Sequence, residues 1–366
     1  MKKQYLSVRQ AICILIVFIC GSSVVLGGNS ESGQDSWIAL LLSQVIAIPT
    51  VLVYAKIIKL FPEKNIFEAV EILFGKIAGK IVTVLISWYA LHLGAMVLRN
   101  FSEFVEITSM PETPQLALMM AMIVVVVYMA KSGVQILGKW SLISLAIIVS
   151  FMFITILLLY NRLDASNFLP VMEYSTKEIL SSSYSLFSFP LAETVLFLAL
   201  ADSVKKEDNP FKIYVWGEVL GALIMLTVAL RNISVLGATL LKAELFPSYV
   251  ATRIISLSDF LARVEGFIST NFILGGITKI TVCLLAASKG LSSLFNIQSC
   301  KKLIFPVGLS MLALCVILYR NTMEMINFLE FYKIYSIPFQ IVIPLMIWIG
   351  GEIRARIQGK AAEKPA

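Results

Sequence analysis

Ten apolar runs, each near the length that crosses a bilayer as a helix, follow one another along this 366-residue chain and leave little sequence for anything else. They lie near 9–28, 37–60, 80–106, 115–132, 137–160, 182–204, 212–236, 265–289, 303–320 and 334–353. A membrane-spanning helix takes roughly 20 such residues. Hydrophobic residues make up 58% of the chain, charged residues only 14%, and the mean hydropathy is +0.86. That balance leaves too little polar surface for a soluble globule of this length. The expectation is one all-α integral membrane domain.

Two of the runs are interrupted, and they hold matching places. The first is broken at Gly21-Ser22-Ser23 and the sixth at Ser188-Phe189-Pro190. In lipid every backbone amide needs a partner within the protein, so a broken helix survives only beside a cavity or a ligand. Ten spans divide into halves of about 9–160 and 182–353. An odd number of spans per half inserts the second half upside down, which is the arrangement of inverted-repeat folds with a small-solute site between the broken helices.

The net charge of +7 would suggest a nucleic-acid partner in a soluble chain, but here the cations sit in short loops. With the N-terminus inside, 20 of the 30 lysines and arginines fall on inner segments and 8 on outer ones. Such a bias puts both termini in the cytoplasm. The apolar run after Met1-Lys2-Lys3 lacks a clear small-x-small cleavage site and reads as an uncleaved first helix. Cys13, Cys20, Cys283, Cys300 and Cys315 show no metal-ligand spacing and read as reduced packing residues.

Two connections are longer than they need to be. Pro62 to Gly79 is amphipathic, suited either to the membrane interface or to a plain helical linker that positions span three. Residues 240–265 alternate apolar and polar positions, and either lie over the outer mouth as a lid or rest on the lipid surface.

Ionisable groups within spans are costly, roughly 2.5–3.5 kcal/mol each at a helix centre, so each one asks for a reason. On span three, Tyr89, His92, Met96, Arg99 and Glu103 fall on one face. Arg99 and Glu103 suit a structural ion pair. His92, the only histidine, suits either proton sensing or a neutral packing role. Lys279 on span eight, beside Gly275 and Gly276, has three readings: a fixed cation held by carbonyls freed at the first break, a group that exchanges its proton, or a structural partner. Pro190 frees the carbonyl of Leu186, and the half-helix after it points its positive dipole end at the cavity, where a carboxylate would bind; the half-helix after Ser23 is the equivalent place. Glu193 fits three roles: receiving a substrate ammonium, locking to a cation of another helix, or acting as a partner to the helix dipole. Phe187, Phe189 and Tyr89 supply apolar walls or plain packing. There is no Walker-type glycine loop and no Glu/His cluster, so neither an enzyme nor a cofactor is expected.

Several stretches, in order and spacing, resemble the spore-germination permeases, the membrane B subunits of nutrient germinant receptors within the amino acid–polyamine–organocation superfamily. They are Ser7-Val8-Arg9-Gln10, Phe61-Pro62 with Phe67-Glu68, Phe189-Pro190 with Glu193, Phe246-Pro247 with Arg253, the Arg263-Val264-Glu265 stretch before span eight, and Lys279. The first break departs from the Gly-Thr-Gly run of many relatives. The resemblance implies a LeuT-like fold of ten helices in a 5+5 inverted repeat with helices 1 and 6 interrupted. It also implies receptor A and C subunits as partners and a place in the inner membrane of the spore.

The resulting expectation is a sensor that binds a small nutrient, such as an amino acid, at Gly21, Ser22, Ser23, Tyr89, His92, Phe187, Ser188, Phe189, Pro190 and Glu193. Coupling or gating is expected of Lys279, Arg99, Glu103, Arg263 and Glu265. Two alternatives need the same polar cavity: a proton-coupled amino-acid permease, and a ligand-gated ion or water channel.

Overall fold

The computed structural model describes residues 4–26, 30–255, 264–319 and 322–362, and these residues are helical, without a strand. Helix α1 (Val8–Leu26) is followed by α2 (Ser36–Leu60), α3 (Ile66–Thr108), α4 (Gln115–Ser132) and α5 (Val134–Leu158). The second half holds α6 (Thr176–Leu186), α7 (Pro210–Ala243), α8 (Pro247–Arg253), α9 (Glu265–Leu294), α10 (Ile304–Leu318), α11 (Thr322–Tyr335) and α12 (Ile343–Ala362). Among the described residues, eight helical stretches are long and apolar enough to cross a membrane, and the shorter apolar helices Val8–Gly21 and Ile304–Leu318 accompany them.

Local sequence sets the helix ends. Asn65 caps α3 by accepting from the amides of Phe67 and Glu68 at 3.0 and 3.1 Å, while Glu68 accepts from the Asn65 amide at 2.9 Å. Ser175 and Glu178 make the same reciprocal box at the start of α6. A single residue, Gly133 at φ +97°, joins α4 to α5, a turn that a side chain would strain.

Three boundaries differ from the hydropathy reading. The amphipathic stretch after Pro62 is continuous with span three, giving a 43-residue α3 bent at Gly75 (φ +74°), because that glycine turns the chain without ending the helix. The last span is longer than 334–353: α11 and α12 flank a π-helical turn at Pro338–Val342. Of the connection 240–265, α7 takes the part through Ala243 and α8 the part from Pro247 to Arg253; 256–263 lies outside the described residues.

The two proposed breaks have different fates. Beyond Leu186 the helix widens into a π turn over Phe187–Leu191, with Phe189 at φ −139° and ψ 109°, and then tightens into a 3₁₀ segment over Ala192–Ser203. By contrast, α1 runs as a helix through Gly21-Ser22-Ser23 to Leu26. The expected anion-binding half-helix after Ser23 is therefore not formed. Glycine and serine are only mildly unfavourable within a helix, and no proline removes an amide there. What Gly21 supplies is proximity: a Cβ on it would fall 2.8 Å from Lys279 Cδ, and a Cβ on Gly275 would fall 2.8 Å from Gly21 Cα. The crossing of α1 and α9 is thus nearly backbone to backbone.

Helix α3 lies along α9, and α1 is enclosed by α5, α7 and α9. The 192–203 segment packs between α2 and α9, so the non-helical backbone sits in the protein interior.

Candidate functional site

Pro190 has no amide to give to the carbonyl four residues back, and this opens the helix just before Glu193. The Glu193 side chain then points into a closed centre where it and Lys279 of α9 are both fully buried, with Lys279 Nζ 2.5 Å from Glu193 Oε2. Tyr332 of α11 donates its hydroxyl to Glu193 Oε1 at 2.6 Å. Tyr332 has one proton to give, so its oxygen accepts from Tyr89 of α3 at 2.8 Å. Gln340 Nε2 in turn donates to the Tyr89 oxygen at 2.8 Å and to the Ser188 carbonyl at 2.7 Å. From Gln340 through Tyr89 and Tyr332 the donors run towards the carboxylate of Glu193, and the ammonium closes the series from the other side. Both ends of the series reach the broken helix.

The ammonium is incompletely satisfied. Besides Glu193 it has no acceptor among the described residues, and its remaining protons face the rings of Phe189 and Phe18, at 4.4 and 5.2 Å to the centroids. Cation–π contacts of this kind are worth about 0.5–2 kcal/mol each. They replace only part of the hydration of a lysine. Oxygen acceptors from a ligand would bind there in preference to the rings.

A second layer fixes the break. The Tyr54 hydroxyl of α2 lies 2.6 Å from the Gln340 carbonyl and 3.1 Å from that of Ala192, and Tyr214 of α7 donates to Thr194 at 3.2 Å. The carbonyls on both sides of Glu193 are thereby held. The rings of Tyr54 and Tyr214 meet edge to face at 5.7 Å.

The sequence-derived residues divide clearly. Ser188, Phe189, Pro190, Glu193, Tyr89 and Lys279 meet at this centre, with Gly21 against the Lys279 stem. Of the three readings of Lys279, the carbonyls of the first break are not its partner; Glu193 is. His92 lies instead in an aromatic box, 5.7 Å from Trp88, 5.5 Å from Phe328 and 5.1 Å from Tyr335. Phe187 packs with Leu186, Leu191 and Ala222 in a separate cluster. The Ser23 hydroxyl is buried with no partner among the described residues. Arg99 and Glu103 form an ion pair with two contacts at 2.7 Å. Glu265 opens α9, and Arg263 lies outside the described residues.

Tyr332 and Gln340 were missed, although Tyr332, Ser336 and Gln340 recur every four residues and are all buried. That polar stripe was legible once the last span was extended backwards. Two further buried ionisable residues, Glu218 and Arg231 of α7, also escaped notice. Arg231 is consumed locally, by Asn232 Oδ1 at 2.7 Å and Thr155 Oγ1 at 3.2 Å. Among the described residues, no three His, Cys, Asp or Glu side chains cluster as a metal site would require.

The sequence profile of the family described as "Spore germination protein" matches residues 5–323. The chain belongs to the spore germination protein family. Spore germination protein KB of Bacillus subtilis (strain 168) is 27% identical, with all of both chains covered. The putative spore germination protein YfkT of the same organism is 28% identical over 90% of each chain. Among solved structures, MhsT in complex with L-phenylalanine aligns with a TM-score of 0.60 at 12% identity, covering 96% of this chain and 99% of that one. Mhp1, a nucleobase-cation-symport-1 family transporter in a closed conformation with bromovinylhydantoin bound, aligns with a TM-score of 0.65 at 13% identity, covering 93% and 78%. The germination protein thus has a LeuT-like, all-helical membrane fold.

Proposed function

We propose that this germination protein is the nutrient-sensing B subunit of a spore germinant receptor, and that it binds a small zwitterion, an amino acid in the first instance, at the broken helix. The observation that carries this reading is the Lys279–Glu193 pair. In the closed centre the chain presents, 2.5 Å apart, one cation with unused donors and one carboxylate. An α-amino acid brings the complementary charges: its carboxylate takes the Lys279 protons that now face Phe18 and Phe189, and its ammonium takes Glu193. MhsT, which shares the fold, was solved with L-phenylalanine.

Binding would exchange an internal ion pair for two ligand contacts and so favour a different packing of α9 against the break. A ligand shifts such an equilibrium only by its differential affinity for the two states. In this reading the protein lies in the inner membrane of the spore with both termini in the cytoplasm, and A and C subunits receive the shift.

The test is a deletion in the host, scored on purified spores against a panel of amino acids, sugars and nucleosides, with complementation by wild type, Lys279→Met and Gly21→Trp. Loss of response to one nutrient, restored only by wild type, is expected. A normal dose-response from Gly21→Trp would sink the site, because a bulky group there collides with the Lys279 stem.

The fold shared with the transporter Mhp1 favours a second reading, a permease using the same centre. Accumulation of labelled amino acid in vesicles distinguishes the two, since a sensor binds without turnover. Ligand-gated conductance without saturable uptake would point to a channel.

A further inference from the structure

Glu218 is a buried carboxyl that the Lys279–Glu193 centre does not use. It lies eight residues into α7, about 12 Å along the helix axis from Pro210 at 1.5 Å per residue. It is 1% exposed, and neither carboxyl oxygen has a hydrogen-bond partner among the described residues. Its surroundings explain why. Gly217 and Gly221 on either side bring α7 into close contact with Leu15 and Ile19 of α1. One turn before it, Tyr214 has given its proton to the Thr194 carbonyl, and across on α2 the single proton of Tyr54 is directed at the Gln340 carbonyl and shared with that of Ala192.

Among the described residues no cation is paired with it. On α2, Lys56 is paired with Glu352 of α12 at 2.8 Å. On α1, the titratable groups of the buried stretch are the thiols of Cys13 and Cys20. Lys139 of α5 is exposed, Glu193 is committed to Lys279 and Tyr332, and the hydroxyls of Tyr54 and Tyr214 are committed to backbone carbonyls. A metal ion would need several further oxygen ligands. The two neighbouring hydroxyls are already engaged.

We propose that Glu218 is a proton-binding site, a neutral carboxylic acid in this closed conformation that dissociates when the end of the bundle where α7 begins admits water. An ionised carboxylate without partner or solvent is far more costly at this depth than the neutral acid. In dissociation the carboxyl O–H bond breaks, its electron pair stays on the carboxylate and the proton passes to the entering water. Glutamine would fill the same space with the same backbone; what glutamate alone adds is a dissociable proton. The position also gives the proton leverage, because Tyr54 and Tyr214 hold the carbonyls on both sides of Glu193. Charge appearing at Glu218 would act on the segment that carries the central ion pair.

Infrared spectra of the full chain in lipid nanodiscs, wild type against Glu218→Gln, test this as the buffer is stepped from mildly acidic to mildly alkaline. The wild type is expected to show the carbonyl-stretch band of a buried protonated carboxylic acid, fading as the pH rises and absent from the variant throughout. Identical spectra, or a band unchanged into alkaline buffer, would overturn the proposal. Treating the wild type with dicyclohexylcarbodiimide, which attacks protonated carboxyls in apolar surroundings, tests it without a variant. An adduct on the Glu218 peptide that declines with rising pH, with none on Glu193, supports it; an unmodified Glu218 in acidic buffer contradicts it. Neither measurement uses a nutrient, so their failure would leave the germinant reading standing, and the reverse also holds.

Discussion

Lys279 of α9 and Glu193, three residues past the Pro190 break, meet at 2.5 Å with both side chains fully buried, and this pair ties the non-helical backbone to the helix that crosses α1 at Gly21. Removing one partner leaves an uncompensated buried charge, which costs about 3–5 kcal/mol, whereas replacing both by neutral groups of similar volume is close to neutral. Lys279→Met should therefore melt well below wild type in detergent, and Lys279→Met with Glu193→Gln should recover most of the loss. Equal melting temperatures for the single variant and wild type would show that the pair does not hold the centre.

Tyr332→Phe removes the hydroxyl that donates to Glu193 and accepts from Tyr89. A hydrogen bond to a charged group is worth about 1.5–3 kcal/mol, so a loss of that order is expected. In a double-mutant cycle with Glu193→Gln the two changes should be strongly non-additive. Additivity would mean that tyrosine and carboxylate act separately.

Gly275→Ala places a methyl group 2.8 Å from Gly21 Cα and 3.0 Å from its carbonyl oxygen. Backbone cannot step aside as a side chain can, so the helices must separate, at about 1–3 kcal/mol. Gly266→Ala, on the same helix but with nothing among the described residues within 4 Å of the added methyl, should instead be neutral or slightly stabilising. Chemical denaturation of the two variants side by side checks the contrast; equal effects would refute the close crossing.

Asp35, fully buried at the start of α2, accepts from the amides of Met172 and Tyr174 at 2.8 and 3.1 Å. Asp35→Ala leaves those amides without their acceptor and should cost about 1–3 kcal/mol. The chain between 165 and 174 should then be cleaved faster in limited proteolysis, with cleavage elsewhere unchanged.

Much of the membrane architecture was legible in the residues themselves. Apolar runs near 20 residues long report spanning helices because lipid tolerates little else. Proline at 190 reports a break because it lacks an amide, whatever surrounds it. Span three was readable too: the spacing of Arg99 and Glu103 placed them on one helical face, and they pair. The first interruption was not readable, because glycine and serine permit a break without requiring one; only the packing of Lys279 and Gly275 against Gly21 shows that the helix continues.

Which polar groups share a centre lay beyond the sequence for the same reason. Lys279, Glu193, Tyr332 and Tyr89 come from four separate elements, and a one-dimensional pattern records the face of each helix but not which faces turn towards one another. His92 shows the limit from the other side: it shares a helical face with Tyr89, yet it packs among Trp88, Phe328 and Tyr335 while Tyr89 joins the hydrogen-bonded series. Sequence alone determined that this chain is a bundle of membrane helices with a break before Glu193, because hydropathy and a missing amide are local properties. The tertiary structure decided that Glu193 is answered by Lys279 and that Glu218 has no partner among the described residues, because the partner of a buried ionisable group is set by the approach of helices far apart in the chain.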